Sequence, residues 1–298
     1  MKRISFCLLL LFVVAFIFLG CASTNARTAI RDLENEGFTD ICVFPTKEKV
    51  WPDFFVDKYT YIGSNVAGEI YLRDIITGNK EVILTIQPWN PKEDCSYVYS
   101  LNNDELYFSV HYKQTLIIYK FNVINEELEI LRRINLENDY SISFSYLDEE
   151  KKCIYIEQEY ERIVYCYDLY SDSPYIKKQQ YEYIYDDNLY PFYVFNTELG
   201  EKEVHLISKY KEHFHINDNY VRISDNEYLT VNRCGLYKSE LCIVNVKTET
   251  SRLFRLKDFG YEITGLFQVD EDEYCFIVCC QNKSTVLCYF TRDILESQ

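Results

Sequence analysis

The sequence predicts an all-β protein built from a repeated unit of short antiparallel strands. The composition favours sheets, because the chain contains 28 Tyr and 19 Phe but only 9 Gly and 1 Met, and aromatic side chains suit a pleated, half-buried surface. From Thr39 onward, short alternating apolar runs follow one another between turns, and none keeps a 3.6-residue period over three turns. A common turn pattern also recurs along the chain.

The recurring pattern is an apolar run, an Asp or Asn, an aliphatic residue, an unrestricted position, a Thr, Asn or Ser, and a second apolar run. It occurs in IYLRDIITGNKEVIL, IIYKFNVINEELEIL, IVYCYDLYSDSPYIK and LCIVNVKTETSRLF, with turn residues Asp74, Asn122, Asp168 and Asn245. Asp and Asn bond to the backbone two residues on, which nucleates a chain reversal. The turn residues are 48, 46 and 77 residues apart, so a diverged copy is predicted around His205 to His215.

Each repeat also carries an acidic loop before an apolar strand, and these loops end at Glu105, Glu150, Glu227 and Glu273. Four strands in about 40 to 50 residues is the period of β-propeller blades. Six blades are predicted, near Tyr59–Ile86, Tyr97–Ile134, Ser141–Ile176, Tyr181–Ile216, Tyr220–Leu256 and Tyr261–Phe290. The last has room for three strands only, so the N-terminal run Thr39–Phe44 is predicted to complete it and close the propeller.

Two of the repeat segments carry a family resemblance. VYCYDLYSDS and IYLRDIITGN resemble the outer-strand turn common to many bacterial propellers. Over Thr39–Ile294 the chain resembles six-bladed propeller lipoproteins of the bacterial envelope. The resemblance implies a propeller domain over residues 39–298, and it carries over no functional residue.

The N-terminus predicts export and lipid attachment. Lys2 and Arg3 precede the apolar run Cys7–Leu19, which has the length of a secretory signal and is shorter than the roughly 20 residues of a transmembrane span. The tetrad FLGC ending at Cys21 resembles the lipobox, which implies that residues 1–20 are removed and that Cys21 is lipidated. Residues 21–38 are predicted to be a polar tether with a helical turn near Thr28–Asn35. The expected location is a membrane of the envelope, the outer one in a Gram-negative source.

The charge of the chain restricts its partners. The formal net charge is −16 at pH 7, which repels phosphate backbones and anionic headgroups. We therefore expect no nucleic-acid partner. Membrane attachment is expected through acyl chains on Cys21, and the expected partner is a protein or a glycan.

Ten cysteines remain besides Cys7 and Cys21, and none forms a CxxC pair. Two pairs recur at the same separation around a polar turn, namely Cys153 with Cys166 and Cys275 with Cys288. Each pair is a possible disulfide across a hairpin. The alternative is that all four are small apolar residues on buried strand faces.

The sequence predicts neither a cofactor nor a metal site. His213 and His215 share a strand face without an identifiable third ligand. The acid clusters at 148–150, 186–188 and 270–273 lack the glycine and the spacing of a calcium loop. They are interpreted as solvated hairpin tips.

The favoured function is a lipid-anchored binding or assembly module, which requires a contiguous exposed aromatic or apolar patch. Its sequence candidates are the aromatic stretch Tyr181–Phe195 and Trp89, between two prolines. The first alternative is a carbohydrate-active enzyme with two carboxylates about 5 to 10 Å apart, for which Asp53, Glu69 and Asp104 are candidates. The second alternative is a purely structural envelope protein with neither feature.

Overall fold

The structure, a computed structural model, shows an all-β protein with a β-propeller arrangement of four-stranded blades, as predicted. It describes residues 26–45, 52–65, 67–87, 89–90, 95–102, 104–112, 114–136, 142–158, 162–171, 175–181, 188–211, 216–235, 238–280 and 284–296. The predicted signal peptide 1–20 and Cys21 lie outside these residues. Within them, no helix is long and apolar enough to span a membrane.

The chain divides into two compact units. The first combines Met1–Val50, His213–Ile243 and Arg252–Gln298, and the second combines Trp51–Glu212 and Val244–Ser251.

The second unit contains three four-stranded antiparallel sheets, each a meander of consecutive strands. Sheet one consists of β2 (Phe54–Asp57), β3 (Thr60–Ser64), β4 (Glu69–Asp74) and β5 (Lys80–Thr85). Sheet two consists of β6 (Cys95–Asn102), β7 (Glu105–Tyr112), β8 (Thr115–Asn122) and β9 (Glu127–Asn135). Sheet three consists of β10 (Ile142–Asp148), β11 (Cys153–Gln158), β12 (Ile163–Asp168) and β13 (Lys177–Gln180).

The four predicted Asp and Asn turns are confirmed. Asp74 Oδ1 accepts the N–H of Thr77 at 2.6 Å. In the same way Asn122, Asp168 and Asn245 each accept the N–H two residues on, at 3.0, 2.8 and 3.1 Å. These turns join the third and fourth strands of their sheets, so the repeat read from the sequence is the outer hairpin of each blade.

The prediction of six blades is wrong, because the described strands form five sheets. The predicted fourth blade, Tyr181–Ile216, supplies only β14 (Leu189–Asn196) and β15 (Glu201–Ser208) among the described residues. Its turn residue is Asn196, which accepts the N–H of Glu198 at 3.1 Å, upstream of the predicted His205 to His215. Since β15 pairs in parallel with β19 at Ser208 and Thr250, the hairpin extends the following sheet.

The fifth predicted blade is β16 (Ile216–Arg222), β17 (Glu227–Gly235), β18 (Lys238–Asn245) and β19 (Thr250–Phe259). With β14 and β15 it forms one six-stranded sheet in the order β14-β15-β19-β18-β17-β16.

The last sheet confirms the predicted role of the N-terminal strand. It has the order β1-β22-β21-β20, with β1 at Asp40–Val43, β20 at Glu262–Asp270, β21 at Glu273–Cys279 and β22 at Thr285–Thr291. Strand β1 pairs antiparallel with β22, and Ile41 lies opposite Cys288. The short helix α2 (Arg292–Glu296) follows β22.

The segment predicted as a tether is partly ordered. Residues 26–35 form the helix α1, whose face Ala26, Ala29 and Leu33 is buried in the core of the first unit. Its end has the hydrogen bonds of a Schellman motif, from Phe38 N–H to Leu33 O and from Gly37 N–H to Glu34 O. Gly37 has a φ of +90°, a conformation that glycine adopts readily. Phe38 follows the helix and is fully buried in the same core.

Candidate functional site

An open cleft of about 400 Å³ lies on the second sheet. It is lined by three acids, one lysine, two amides and one leucine: Glu105, Lys120, Asn122, Asn125, Glu127, Leu128 and Glu129. We call this set the acidic cleft. Its volume lies within the roughly 300–1,000 Å³ of ligand pockets.

Strand register brings the cleft residues together from three strands. Glu105 on β7 lies opposite Asn122 on β8, which lies opposite Glu127 on β9. Two residues further along, Lys120 lies opposite Glu129. Because alternate residues of a strand share a face, these side chains project from the same side of the sheet.

The turn between β8 and β9 is held by its own amides. Asn122 Oδ1 accepts the N–H of Asn125 at 3.1 Å. Asn125 in turn donates through Nδ2 to Glu127 Oε2 at 2.9 Å and accepts the N–H of Glu127 at 3.2 Å. These hydrogen bonds hold in place the carboxylate of Glu127, which is the first residue of β9.

The lysine of the cleft is already paired. Lys120 Nζ lies 2.6 Å from Glu105 Oε1. Their hydrogen bond lowers the pKa of Glu105 and raises the pKa of Lys120, with smaller contributions from Glu129 and Tyr170 to the Lys120 pKa. Both groups are charged at neutral pH, and their charges cancel. The remaining net charge of the cleft is the negative charge of Glu127 and Glu129.

A turn of the third sheet lies beside the cleft and carries Tyr170. Arg132 on β9 donates to the carbonyl oxygens of Asp168 and Ser171, on either side of Tyr170. The Tyr170 N–H donates to Asp168 Oδ1 at 2.8 Å. The phenol side chain is 62 % exposed, although the turn that carries it is fixed.

Apolar side chains are exposed around the acids. Ile124 is 76 % exposed, Leu128 47 % and Ile130 44 %. Leu128 and Ile130 alternate with Glu127 and Glu129 along the exposed first half of β9. An acidic cleft bordered by exposed apolar groups can bind a cation attached to an apolar body.

The three acids that are candidates for hydrolysis differ in their surroundings. The surrounding protein desolvates Asp53 and raises its pKa to about 6, although its side chain reaches solvent and Ser64 opposes the shift by hydrogen bonding. Glu69 bonds to Lys80 at 2.5 Å and to Asn65 at 2.7 Å, which lowers its pKa.

Asp104 lies in the β6–β7 turn with a φ of +65°. Among the described residues, no carboxylate contributes to the pKa shift of Asp53. They also contain no cluster of three His, Cys, Asp or Glu that could hold a metal ion.

The two predicted cysteine pairs differ in geometry. Cys153 and Cys166 lie on the same face of the third sheet, in one buried cluster. Cys275 lies opposite Tyr289, and Cys288 lies opposite Phe276. Strand alternation therefore places Cys275 and Cys288 on opposite faces of the last sheet.

The predicted aromatic candidates are used for packing where they are described. Tyr181 and Tyr193 have ring centroids 5.6 Å apart and flank Lys202 Nζ, which lies 5.1 Å from each ring centroid. Trp89 packs partly buried against the core of sheets one and two, where a Cβ added at Gly68 would lie 2.7 Å from its Cγ. His213, His215, Asp186 and Asp187 lie outside the described residues.

The acidic cleft was not singled out from the sequence, although two of its residues were, Asn122 as a turn residue and Glu105 as the end of an acidic loop. The signal that could have indicated it is the run Glu127-Leu128-Glu129-Ile130, which alternates as a strand with acids on one face and apolar residues on the other. In a strand with one buried face, one of these two sets would be hidden in the core. Whether both sets are exposed depends on tertiary structure, which the sequence pattern does not give.

Comparisons with known proteins agree on the fold. No family model and no curated protein matches the chain. The solved structure "YCF48 bound to D1 peptide" is similar with a TM-score of 0.50 and 8% identity, over 85% of this chain and 94% of that one.

Two yeast structures are also similar to the chain. Sqt1 of Saccharomyces cerevisiae has a TM-score of 0.48 and 9% identity, over 83% of this chain and 73% of that one. Hsv2 of Kluyveromyces lactis has a TM-score of 0.46 and 11% identity, over 80% and 72%. The fold of the chain is that of a β-propeller.

Proposed function

We propose that the protein is a binding module whose acidic cleft takes an extended, positively charged peptide segment of a partner protein. The observation that carries this proposal is the exposed run from Glu127 to Ile130 beside the cleft, in which acids alternate with apolar side chains. Leu128 and Ile130 contribute the exposed apolar side chains of this surface.

Charge complementarity selects a cationic ligand. Lys120 is neutralised by Glu105 at 2.6 Å, so a second lysine or an arginine entering the cleft meets the carboxylates of Glu127 and Glu129. An anionic ligand would meet the same carboxylates and the net charge of −16. Opposite charges across an interface also accelerate association.

The position of β9 favours an extended ligand. It is the last strand in the order β6-β7-β8-β9, and a strand at a sheet edge can pair with a strand from another chain. A peptide that alternates cationic and apolar residues would place its cations beside Glu127 and Glu129. Its apolar residues would then lie beside Leu128 and Ile130.

The similar YCF48 structure carries a D1 peptide by its title, so the fold is compatible with peptide binding. The proposal therefore concerns recognition of a peptide.

We expect a labelled peptide of five Lys-Val repeats to bind the full chain, measured by fluorescence anisotropy at low salt. The Glu127→Lys/Glu129→Lys variant should bind at least about tenfold more weakly, because two attractive charges become repulsive. The control variant Glu198→Lys/Glu271→Lys makes the same charge change at two exposed acids outside the cleft and should bind nearly as wild type.

Equal loss in both variants would mean that only net charge matters, and would contradict a site at the cleft. Tight binding of a Glu-Val peptide would contradict the predicted charge preference. Both variants should first show the thermal unfolding midpoint of the wild type.

We further propose that this module is held at a cell envelope by lipid on Cys21, with residues 1–20 removed. The support is the basic pair Lys2 and Arg3, the apolar run Cys7–Leu19 and the lipobox-like tetrad. With Cys21→Ala, we expect an unprocessed or soluble product in place of a membrane-bound one, measured by fractionation and incorporation of labelled palmitate. Unchanged partitioning and labelling of the variant would contradict the anchor.

A further inference from the structure

We propose that Cys153 and Cys166 form a cross-strand disulfide by exchange with an external disulfide, whereas Cys275 and Cys288 remain thiols. The inference is independent of the acidic cleft. It separates two cysteine pairs that look alike in the sequence, each 13 residues apart around a polar turn.

Strand register brings the first pair together. In the β11–β12 hairpin, Cys166 lies opposite Tyr155 and Cys153 lies opposite Asp168, so the two cysteines are diagonal neighbours. Residues two apart along a strand share a face, which places both thiols in one buried cluster with Tyr155 and Val164. In the structure both are free thiols, and a hydrogen bond between them is the largest cause of the shift in both pKa values. Diagonal neighbours usually lie about 7–8 Å apart at Cα, so the disulfide requires a backbone adjustment that brings this distance into the usual range of about 4.4–6.8 Å.

One of the two sulfur atoms is prepared to act as the nucleophile. The hydrogen bond from Cys166 lowers the pKa of the Cys153 thiol to about 7, against the opposing effect of burial. The same hydrogen bond raises the pKa of Cys166. Since the thiolate is the reactive form, Cys153 is the thiol that attacks first.

The oxidant in this exchange is an external disulfide, such as oxidised glutathione or the disulfide of an oxidoreductase. The Cys153 thiolate attacks one sulfur of that disulfide, forms a mixed disulfide and releases one thiolate. The Cys166 thiolate then attacks the Cys153 sulfur and releases the second external thiolate. Two protein thiols are oxidised, the external disulfide is reduced to two thiols, and the two protons pass to the released thiolates. Both cysteines are buried in the folded chain. The exchange therefore takes place during folding, after the β11–β12 hairpin has brought the two thiols together and before the hairpin is covered.

The second pair lacks this geometry. Cys275 and Cys288 lie on opposite faces of the β21–β22 hairpin, with the backbone of the sheet between their side chains. Burial raises the pKa of both thiols and keeps them protonated. The pair therefore serves as a matched internal control with the same sequence separation.

The test is refolding of the full chain in a glutathione redox buffer, followed by alkylation and peptide mass spectrometry. We expect a peptide that links Cys153 to Cys166, at least about tenfold more abundant than any link between Cys275 and Cys288, because only the first pair can meet disulfide geometry. Cys153→Ser and Cys166→Ser should each abolish this link and leave the remaining thiol alkylated or glutathionylated. The Cys275→Ser/Cys288→Ser variant should keep it.

Full alkylation of both Cys153 and Cys166 in the refolded wild type would overturn the proposal. An equally abundant Cys275–Cys288 link would also overturn it. If refolding fails, the same peptide mass spectrometry is applied to the chain isolated from its host and alkylated at lysis. Absence of the Cys153–Cys166 link in that sample would also overturn the proposal.

Discussion

Replacement of Phe38 by Ala is expected to lower the free energy of unfolding by about 3–5 kcal/mol, the loss typical of a deleted buried aromatic side chain. Phe38 is fully buried. Its ring makes edge contacts with Phe276 at 5.2 Å and Phe290 at 5.7 Å between centroids. The substitution would leave a cavity between the N-terminal segment and the sheet that β1 completes.

Urea unfolding of the full chain provides the measurement, with Phe38→Leu as the control that keeps much of the apolar volume. We expect Phe38→Leu to lose clearly less stability than Phe38→Ala. If Phe38→Ala unfolds at the wild-type urea concentration, residues 26–38 behave as the tether that the sequence predicted, and the packing described above is wrong.

The second large effect is expected at Lys202, where substitution by Met should cost about 3 kcal/mol of stability. Lys202 Nζ lies 2.5 Å from Glu157 Oε2, and the side chains of Lys202 and Glu157 are only 16% and 7% exposed. The ammonium group also lies over the rings of Tyr181 and Tyr193. Met fills a similar volume but leaves the Glu157 carboxylate buried without its ion-pair partner.

The double variant Lys202→Met/Glu157→Leu distinguishes charge from packing. Because it removes both charges, we expect it to be more stable than Lys202→Met alone in the same unfolding measurement. Additive losses from the two substitutions would contradict the account, since they would mean that the pair is not coupled. This ion pair also links β15 to the third sheet, so hydrogen exchange in the β14–β15 hairpin should rise with Lys202→Met.

Local chemistry explains how much of the fold was predictable. Asp74, Asn122, Asp168 and Asn245 carry their turn signal in one side chain, and each makes the predicted hydrogen bond to the chain two or three residues on. The N-terminal strand was also predictable, because a last blade with three strands leaves an unpaired edge. Both inferences depend on residues that are close in sequence or on a simple count of strands.

Tertiary contacts explain what was missed. The sequence indicated a helical turn near Thr28–Asn35 but not its burial, because the apolar face of α1 consists partly of Ala26 and Ala29, whose small side chains give a weak hydrophobic pattern. The fourth of the six predicted blades, Tyr181–Ile216, was predicted because the 77-residue interval was long enough for nearly two repeats. The structure instead joins β14 and β15 to the next sheet through the contact of Ser208 with Thr250.

The candidate site was the least predictable part. Its residues come from three strands and one turn, and the repeat pattern indicated only Glu105 and Asn122 among them. The exposure of both Leu128 and Glu129 follows from the edge position of β9, which the order of strands in space determines. For the cysteines, a single position of register decides whether two thiols share a face.

The most direct test of the proposed function is hydrogen exchange of the full chain, measured by mass spectrometry with and without the Lys-Val peptide. The account predicts slower exchange across residues 123–131, which include the β8–β9 turn and the exposed half of β9. It predicts unchanged exchange in β5, the edge strand of the neighbouring sheet. Protection of β5 equal to that of β9, or binding without any protection of residues 123–131, would contradict the acidic cleft as the binding site.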